Sequence, residues 1–217
     1  MKVIITGATG MVGEGVLLEC LSNPQITEVL SVSRKSIGLN HPKLKEYIVK
    51  DFLSLNEGDH MLQGFDACFF CAGVSSVGMK EAGYTHLTYD TAMAFAKALS
   101  PKAEITFIYV SGASTDSSEK GKSMWARVKG KTENDLMKLP FKRVFAFRPA
   151  LMKITEGQRN PKGGQKFISK LYPLFKAVFP NYVSTLQEVG KAMISITQQG
   201  YEKNVIEVRD ILALAKK

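Results

Sequence analysis

Glycines at positions 7, 10 and 13, in Thr6-Gly7-Ala8-Thr9-Gly10-Met11-Val12-Gly13 directly after the β-branched run Val3-Ile4-Ile5, have a spacing that dictates a chemistry. A strand turning sharply into a helix around a pyrophosphate needs unusual φ, close backbone approach and tight helix packing, and glycine at these places supplies all three. The helix start then offers free N–H groups and a positive dipole end to phosphate. Gly7, Thr9, Gly10, Met11, Val12 and Gly13 are therefore read as lining a dinucleotide. Such folds meet the adenosine ribose about 20 residues further on, at the end of the second strand. Counting that far from Gly13 reaches Ser33, followed by Arg34 and Lys35. An acid there would hold a 2′-hydroxyl and repel a 2′-phosphate; two cations instead point to NADP over NAD.

These residues need a scaffold that gathers strand ends and helix starts at one edge. Short apolar runs alternate with longer amphipathic stretches, the pattern of βα units in a parallel sheet covered on both faces. Strands are expected at 2–6, 28–33, 44–49, 66–71, 104–110 and 143–147, with helices at 11–21, 53–62, within 81–99, and from about 122 to 139. Residues 155–165 hold three glycines and Pro161, the texture of a mobile loop that can fold over a ligand. Helices at about 166–178 and 186–197 and an edge strand at 205–208 complete the reading. The fold class is α/β, a doubly wound parallel sheet (Rossmann), as a single domain over 1–217 with a small C-terminal helical region; residues 151–203 cover the substrate.

Composition narrows the partners. The 217 residues, 45% hydrophobic and 23% charged, suffice for one buried core and exclude a disordered tail or a coiled coil. A net charge of +9 favours anionic partners. The cations are spread along the chain without an arginine-rich tract, so they read as a solvated surface plus a phosphate pocket and not as a nucleic-acid site. Three cysteines, an odd number, make no disulfide framework and suggest a reducing compartment. Neither a secretory apolar segment nor a run of membrane-spanning length is present, and the expectation is a soluble cytoplasmic protein.

An ordered set of motifs carries a resemblance. T-G-A-T-G-M-V-G at 6–13, Arg34, Lys50-Asp51-Phe52, Cys71-Ala72-Gly73, Val110-Ser111, Val128-Lys129-Gly130 and Phe147-Arg148-Pro149-Ala150 span most of the chain. In this order they resemble the atypical branch of the short-chain dehydrogenase/reductase superfamily, and most of all its Tat-interacting-protein type of oxidoreductase homologues. The resemblance implies a Rossmann sheet with NAD(P) across the carboxyl ends of its strands. By the same resemblance Gly7, Gly10 and Gly13 hold the pyrophosphate and Arg34 the 2′-phosphate. Asp51 and Phe52 flank the adenine, Cys71, Ala72 and Gly73 line the cofactor, Lys129 binds the nicotinamide ribose, and Pro149 sits beside the nicotinamide.

The proton-handling positions depart from that pattern. The family's tyrosine, its general acid or base, stands four residues before the lysine, where this chain has Trp125. Indole donates a hydrogen bond but does not titrate as a phenol does. The family's serine falls at Gly112, with Ser111 and Ser114 as the neighbouring hydroxyls. Ser111 and Lys129 are the catalytic candidates, and Tyr84 and Tyr89 are further phenols in or near the segment after the fourth strand. Tyr172 and Lys176 repeat the four-residue spacing, but next to Pro173 and far from the expected helix, and are read as a chance match.

Other signals are weaker. Cys68 and Cys71 are expected to point to opposite faces of a strand, and His41, His60 and His86 lack metal-ligand spacing, so no metal is expected. In the family it resembles this region covers the substrate pocket, so the apolar stripe of 166–179 among Lys162, Lys166, Lys170 and Lys176 reads as core or pocket wall, suggesting an apolar substrate, and not as a membrane anchor. Two functions follow: an NADP-dependent oxidoreductase acting on a small carbonyl or hydroxyl compound, or a non-catalytic NADP-binding protein with a redox-sensing or regulatory role.

Overall fold

Consecutive residues of a strand face opposite ways, so Val3, Ile4 and Ile5 can all be buried only in a sheet covered on both sides. The computed structural model, which describes residues 1–159 and 163–217 and the side chains of all but 160–170, places β1 (Lys2–Thr6) in such a setting. The strands are β2 (Glu28–Ser33), β3 (Leu44–Ile48), β4 (Ala67–Phe70), β5 (Thr106–Val110), β6 (Arg143–Arg148), β7 (Leu151–Lys153), β8 (Val183–Thr185) and β9 (Val205–Glu207). Strands β7 and β8 pair apart from the rest; the other seven form one parallel sheet in the order β3-β2-β1-β4-β5-β6-β9. The helices are α1 (Met11–Ser22), α2 (Glu81–Thr85), α3 (Thr91–Ala98), α4 (Met124–Leu136), α5 (Gly163–Val178), α6 (Leu186–Gln199) and α7 (Val208–Leu214).

Alternation along the strands builds two cores. Val3, Ile5, Ala67 and Phe69 pack with Val16 and Leu17 of α1, Val189 and Met193 of α6, and Ile211 of α7. Ile4, Cys68, Phe70 and Phe107 take the other face, with Phe95 of α3 and Phe52. Aromatic contacts dominate that second core, Phe52 to Phe95 at 4.9 Å and Phe70 to Phe95 at 5.7 Å between ring centres. The doubly wound Rossmann arrangement is thus the one the apolar pattern implied.

Several boundaries differ from the sequence expectation. Residues 53–62 form no helix but two 3-10 turns, Phe52–Ser54 and His60–Leu62. Asp51 and Asp59 accept hydrogen bonds from the N–H groups of Leu53 and Met61, at 3.0 and 2.9 Å, and so start the chain afresh twice. The stretch within 81–99 is interrupted between α2 and α3 by a wide π turn, His86–Asp90. Expected 122–139 contracts to α4. Strands β7 and β8, three residues each, are too short to show alternation. Helix α7 follows where the expected strand 205–208 ends at Glu207, which forms a capping box with Asp210. The expected loop 155–165 lies partly outside the described residues, at 160–162, and its last residues belong to α5.

One buried ion pair seats α4 on the sheet. Arg148, at the end of β6, is 9% exposed and Glu133 of α4 is 1% exposed. The guanidinium donates through Nε and Nη2 to the two carboxylate oxygens, at 3.0 and 2.5 Å, and reaches Ser117 Oγ at 2.5 Å and Glu207 Oε1 at 3.3 Å. Removing one partner of such a pair leaves an uncompensated buried charge. Glu133→Ala is therefore expected to lose about 3–5 kcal/mol in urea unfolding, while Glu133→Leu combined with Arg148→Met recovers most of it. A single-variant loss below about 1 kcal/mol would show that the pair does not hold the helix.

Candidate functional site

The carboxyl ends of β1 and β4 meet at the glycine turn. Gly7 has φ +70, and a Cβ there would lie 2.6 Å from the main-chain nitrogen of Ala72. Gly13 packs so closely that its Cβ would fall 2.2 Å from the Gly7 carbonyl oxygen. The turn closes with Gly10 N–H donating to Gly7 O at 2.8 Å, and Ala72 N–H donates to Thr6 Oγ1 at 3.2 Å. Gly10 caps α1 without a side-chain bond, which leaves first-turn N–H groups for an outside acceptor. Gly7 and Gly13 are thus packed together against Cys71 and Ala72, with Gly10 closing the turn, Gly73 following Ala72 in the chain, Thr9 exposed and Met11 and Val12 half-buried.

Arg34 and Lys35 follow β2, both exposed and without an ion pair among the described residues. Their loop is shaped by Glu46 of β3, which accepts from Ser36 Oγ and Ile37 N, each at 2.7 Å. Asp51 is exposed, but the Phe52 ring is buried in the second core. An adenine beside them would meet the main chain of Phe52 and not its ring.

The other end of the cleft is built by α4, the β5 end and the β6 end. Lys129 donates its ammonium to the Ser111 carbonyl. Burial pushes its pKa down, and Glu133 one turn on opposes that shift. Ser111 is buried, and its hydroxyl donates to the Phe147 carbonyl at 3.2 Å. Gly112, where the resemblance calls for serine, has φ +123, and exposed Ser114 has φ +66. Buried Pro149 accepts from Ala113 N–H at 2.9 Å, joining the two strand ends. Trp125 is half-buried one turn before Lys129, on the same side of α4.

The alternative phenols are occupied. Tyr84 is 1% exposed and burial raises its pKa. Tyr89 donates to Asp135 Oδ2 at 2.8 Å and has the Lys131 ammonium 4.8 Å from its ring centre. Tyr172 lies on α5, where Pro173 is accommodated within the helix, with Lys153 and Lys176 near its ring. Cys68 and Cys71 do face opposite cores, and burial raises the Cys71 thiol to about 12. His86 pairs with Asp90 at 3.2 Å, and no group of three or more His, Cys, Asp or Glu suited to a metal occurs among the described residues. Of the stripe at 166–179, the side chains at Lys162, Lys166 and Lys170 lie outside the described residues, while Leu174, Val178 and Phe179 are exposed.

Residues of the expected covering segment reach back to the glycine turn, which spacing alone did not reveal. Gln158 Nε2 donates to the Met11 carbonyl at 2.8 Å, and Arg159 N–H donates to Glu14 Oε1 at 2.6 Å. Arg159 Nη1 also donates to the Gly38 carbonyl at 2.9 Å. Glycine and proline marked this stretch as a loop, but nothing local marks a partner more than a hundred positions away.

With this geometry in place, known proteins can be compared. No protein-family model matches the chain. It is 29% identical over 203 residues to "Protein FMP52, mitochondrial" of Meyerozyma guilliermondii, covering 89% of this chain and 84% of that one. It is 24% identical over 222 residues to "Protein HTATIP2" of Rattus norvegicus, covering 99% and 89%. A UDP-glucuronic acid 4-epimerase from Bacillus cereus, solved with UDP-glucuronic acid and NAD, shares the fold with a TM-score of 0.63 at 16% identity, covering 100% of this chain and 82% of its own. The FMP52 and HTATIP2 proteins are homologues of this chain, in keeping with the resemblance that the motifs carry. No helix among the described residues is long and apolar enough to cross a membrane. Because relatives are named as mitochondrial, the cytoplasmic expectation is not carried further.

The two glycines separate fold from binding. A Cβ at Gly13 meets only backbone at the turn, so Gly13→Ala is expected to cost roughly 1–3 kcal/mol or more in thermal unfolding. A Cβ at Gly10 meets only the Gly7 carbonyl, at 3.3 Å. Gly10→Ala should stay folded yet lose dinucleotide binding by calorimetry; unchanged binding would remove the turn from the ligand site.

Proposed function

We propose that this chain, a homologue of the FMP52 and HTATIP2 proteins, binds NADP(H) in the cleft at the carboxyl edge of its sheet and is an oxidoreductase for a small carbonyl or hydroxyl substrate. The observation that carries the reading is the closed glycine turn packed on Ala72, with an uncapped helix start beside the unpaired cations Arg34 and Lys35. Solved neighbours of the same fold hold NAD, which supports a nicotinamide dinucleotide; the preference for the 2′-phosphorylated form rests on Arg34 and Lys35. The residues fit the group: a Cβ at Gly7 would close on Ala72 main chain, so the backbone there is kept bare. Gly7, Gly10, Gly13 and the α1 start would hold the pyrophosphate, Arg34 and Lys35 the 2′-phosphate, Asp51 and the Phe52 main chain the adenine, and Cys71 to Gly73, Lys129 and Pro149 the remainder. When bound, the nicotinamide supplies the hydride.

The chain's own residues then have to place the substrate and handle one proton. Lys129, tied to the Ser111 carbonyl, has ammonium protons left to give a ribose hydroxyl. Ser111 spends its hydroxyl on Phe147, so it positions the strand end more than it serves a substrate. Trp125, in the place of the family's tyrosine, can orient a substrate oxygen through its N–H but cannot exchange a proton with it. The proton then comes from water, directly or passed through the exposed Ser114 hydroxyl, which regains one from water in turn. A second reading, a binding protein without turnover, is favoured by the same two observations at Trp125 and Ser111.

Trp125 is the only tryptophan, so its emission reports on the cleft. NADPH should quench it and bind about tenfold or more tightly than NADH, and Arg34→Gln should erase most of that difference. Equal affinities would end the NADP assignment. NADPH oxidation over a panel of carbonyl compounds should give slow turnover that Trp125→Tyr raises; no turnover with either protein favours the non-catalytic reading.

A further inference from the structure

The segment after β7 is bonded to both elements that the proposed cofactor must touch. Gln158 holds the Met11 carbonyl in the first turn of α1, and the Arg159 main chain holds Glu14 one turn on. The Arg159 guanidinium crosses to the Gly38 carbonyl, in the loop that starts with Arg34 and Lys35. Thr155 N–H closes the segment on itself by donating to Gln158 Oε1 at 2.7 Å. Residues 155–159 therefore form a strap tying the pyrophosphate turn to the adenosine loop.

Its chemistry is specific. A guanidinium has five N–H donors, and Arg159 spends one of them, through Nη1, on a neutral carbonyl. Its side chain is exposed and joins no ion pair among the described residues, as is true of Arg34 and Lys35. The carboxylate that shapes this loop, Glu46, is engaged by Ser36 and Ile37. The carboxylates nearby, Glu46 on the loop and Glu14 under the Arg159 main chain, form no ion pair with Arg34, Lys35 or Arg159 among the described residues, and a phosphate dianion would be drawn to these cations. Arginine's planar fork suits a phosphate better than a carbonyl.

We propose that Arg159 is a specificity-determining residue, the third cation of the 2′-phosphate site, supplied from across the cleft, so that NADP(H) fastens the 155–159 strap over the glycine turn and NAD(H) does not. This rests on the NADP reading above. It adds that the residue reading the phosphate lies on a segment bonded both to α1 and to the loop after β2.

The test is a set of titrations of the full chain and its Arg159→Gln and Arg34→Gln variants with NADPH, NADH and 2′,5′-ADP, with amide exchange at 155–159 followed in parallel. Arg159→Gln, an exposed change, should keep the fold. It should weaken NADPH and 2′,5′-ADP about tenfold or more and leave NADH within about twofold. In the unaltered chain NADPH should slow exchange of the Thr155 and Arg159 amides more than NADH does. If Arg34→Gln abolishes the NADPH preference and Arg159→Gln leaves it intact, the strap proposal falls and the NADP reading stands. Equal weakening of NADPH and NADH by Arg159→Gln would make Arg159 a structural tie and also overturn the proposal. If the unaltered chain binds NADH as well as NADPH, both readings fall together.

Discussion

A guanidinium taken out of water sets the geometry where α4 meets the ends of β5 and β6. Arg148 ends the strand beside β5, and its bidentate pair with Glu133 fixes where α4 lies. Desolvating two such charges is costly, and the pair is tolerable because four of the five guanidinium N–H groups are bonded, with Ser117 and Glu207 joining Glu133 as acceptors. Lys129 stands one helical turn before Glu133 and Trp125 one turn before that, so both side chains are indexed to this pair. The same carboxylate partly offsets the burial that lowers the Lys129 pKa. A structural contact and the electrostatics of the site are thus one arrangement.

The two ends of the cleft recognise by different means. At the phosphate end the protein offers main chain: a turn whose glycines admit no Cβ, and a helix start without a cap. Such a site is rigid, and it tolerates no side chain at Gly7 or Gly13. At the other end side chains join the main chain, and there the sequence has Trp125 and Gly112 where the resemblance calls for a tyrosine and a serine. Hydride chemistry belongs to a cofactor and needs position above all, so the binding half can be complete while the proton half is rebuilt.

The strap connects the halves. After β6 the chain passes Pro149, adds β7 to the small sheet with β8, and then, as the 155–159 strap, returns to α1 and to Gly38 in the loop after β2 before α5 begins. The segment after β7 is therefore tied both to the first turn of α1 and to the loop after β2.

Much of this was legible in the chain itself. Strand alternation, the glycine turn and the Arg34-Lys35 ending are local patterns, since period, spacing and turn chemistry act within a few residues. For the same reason Cys68 and Cys71 could be assigned to opposite faces. The failures also have physical causes: Asp51 and Asp59 cap their own turns and break the expected helix at 53–62, and β7 and β8 are too short to show a period. What only the tertiary structure decided are the contacts between distant positions: Arg148 with Glu133, Ser111's hydroxyl turned to Phe147, the Phe52 ring buried, and Arg159 set beside Gly38. Those depend on which loops the closed sheet brings together, and a one-dimensional pattern carries the periodicity of each element but not the partner it will meet.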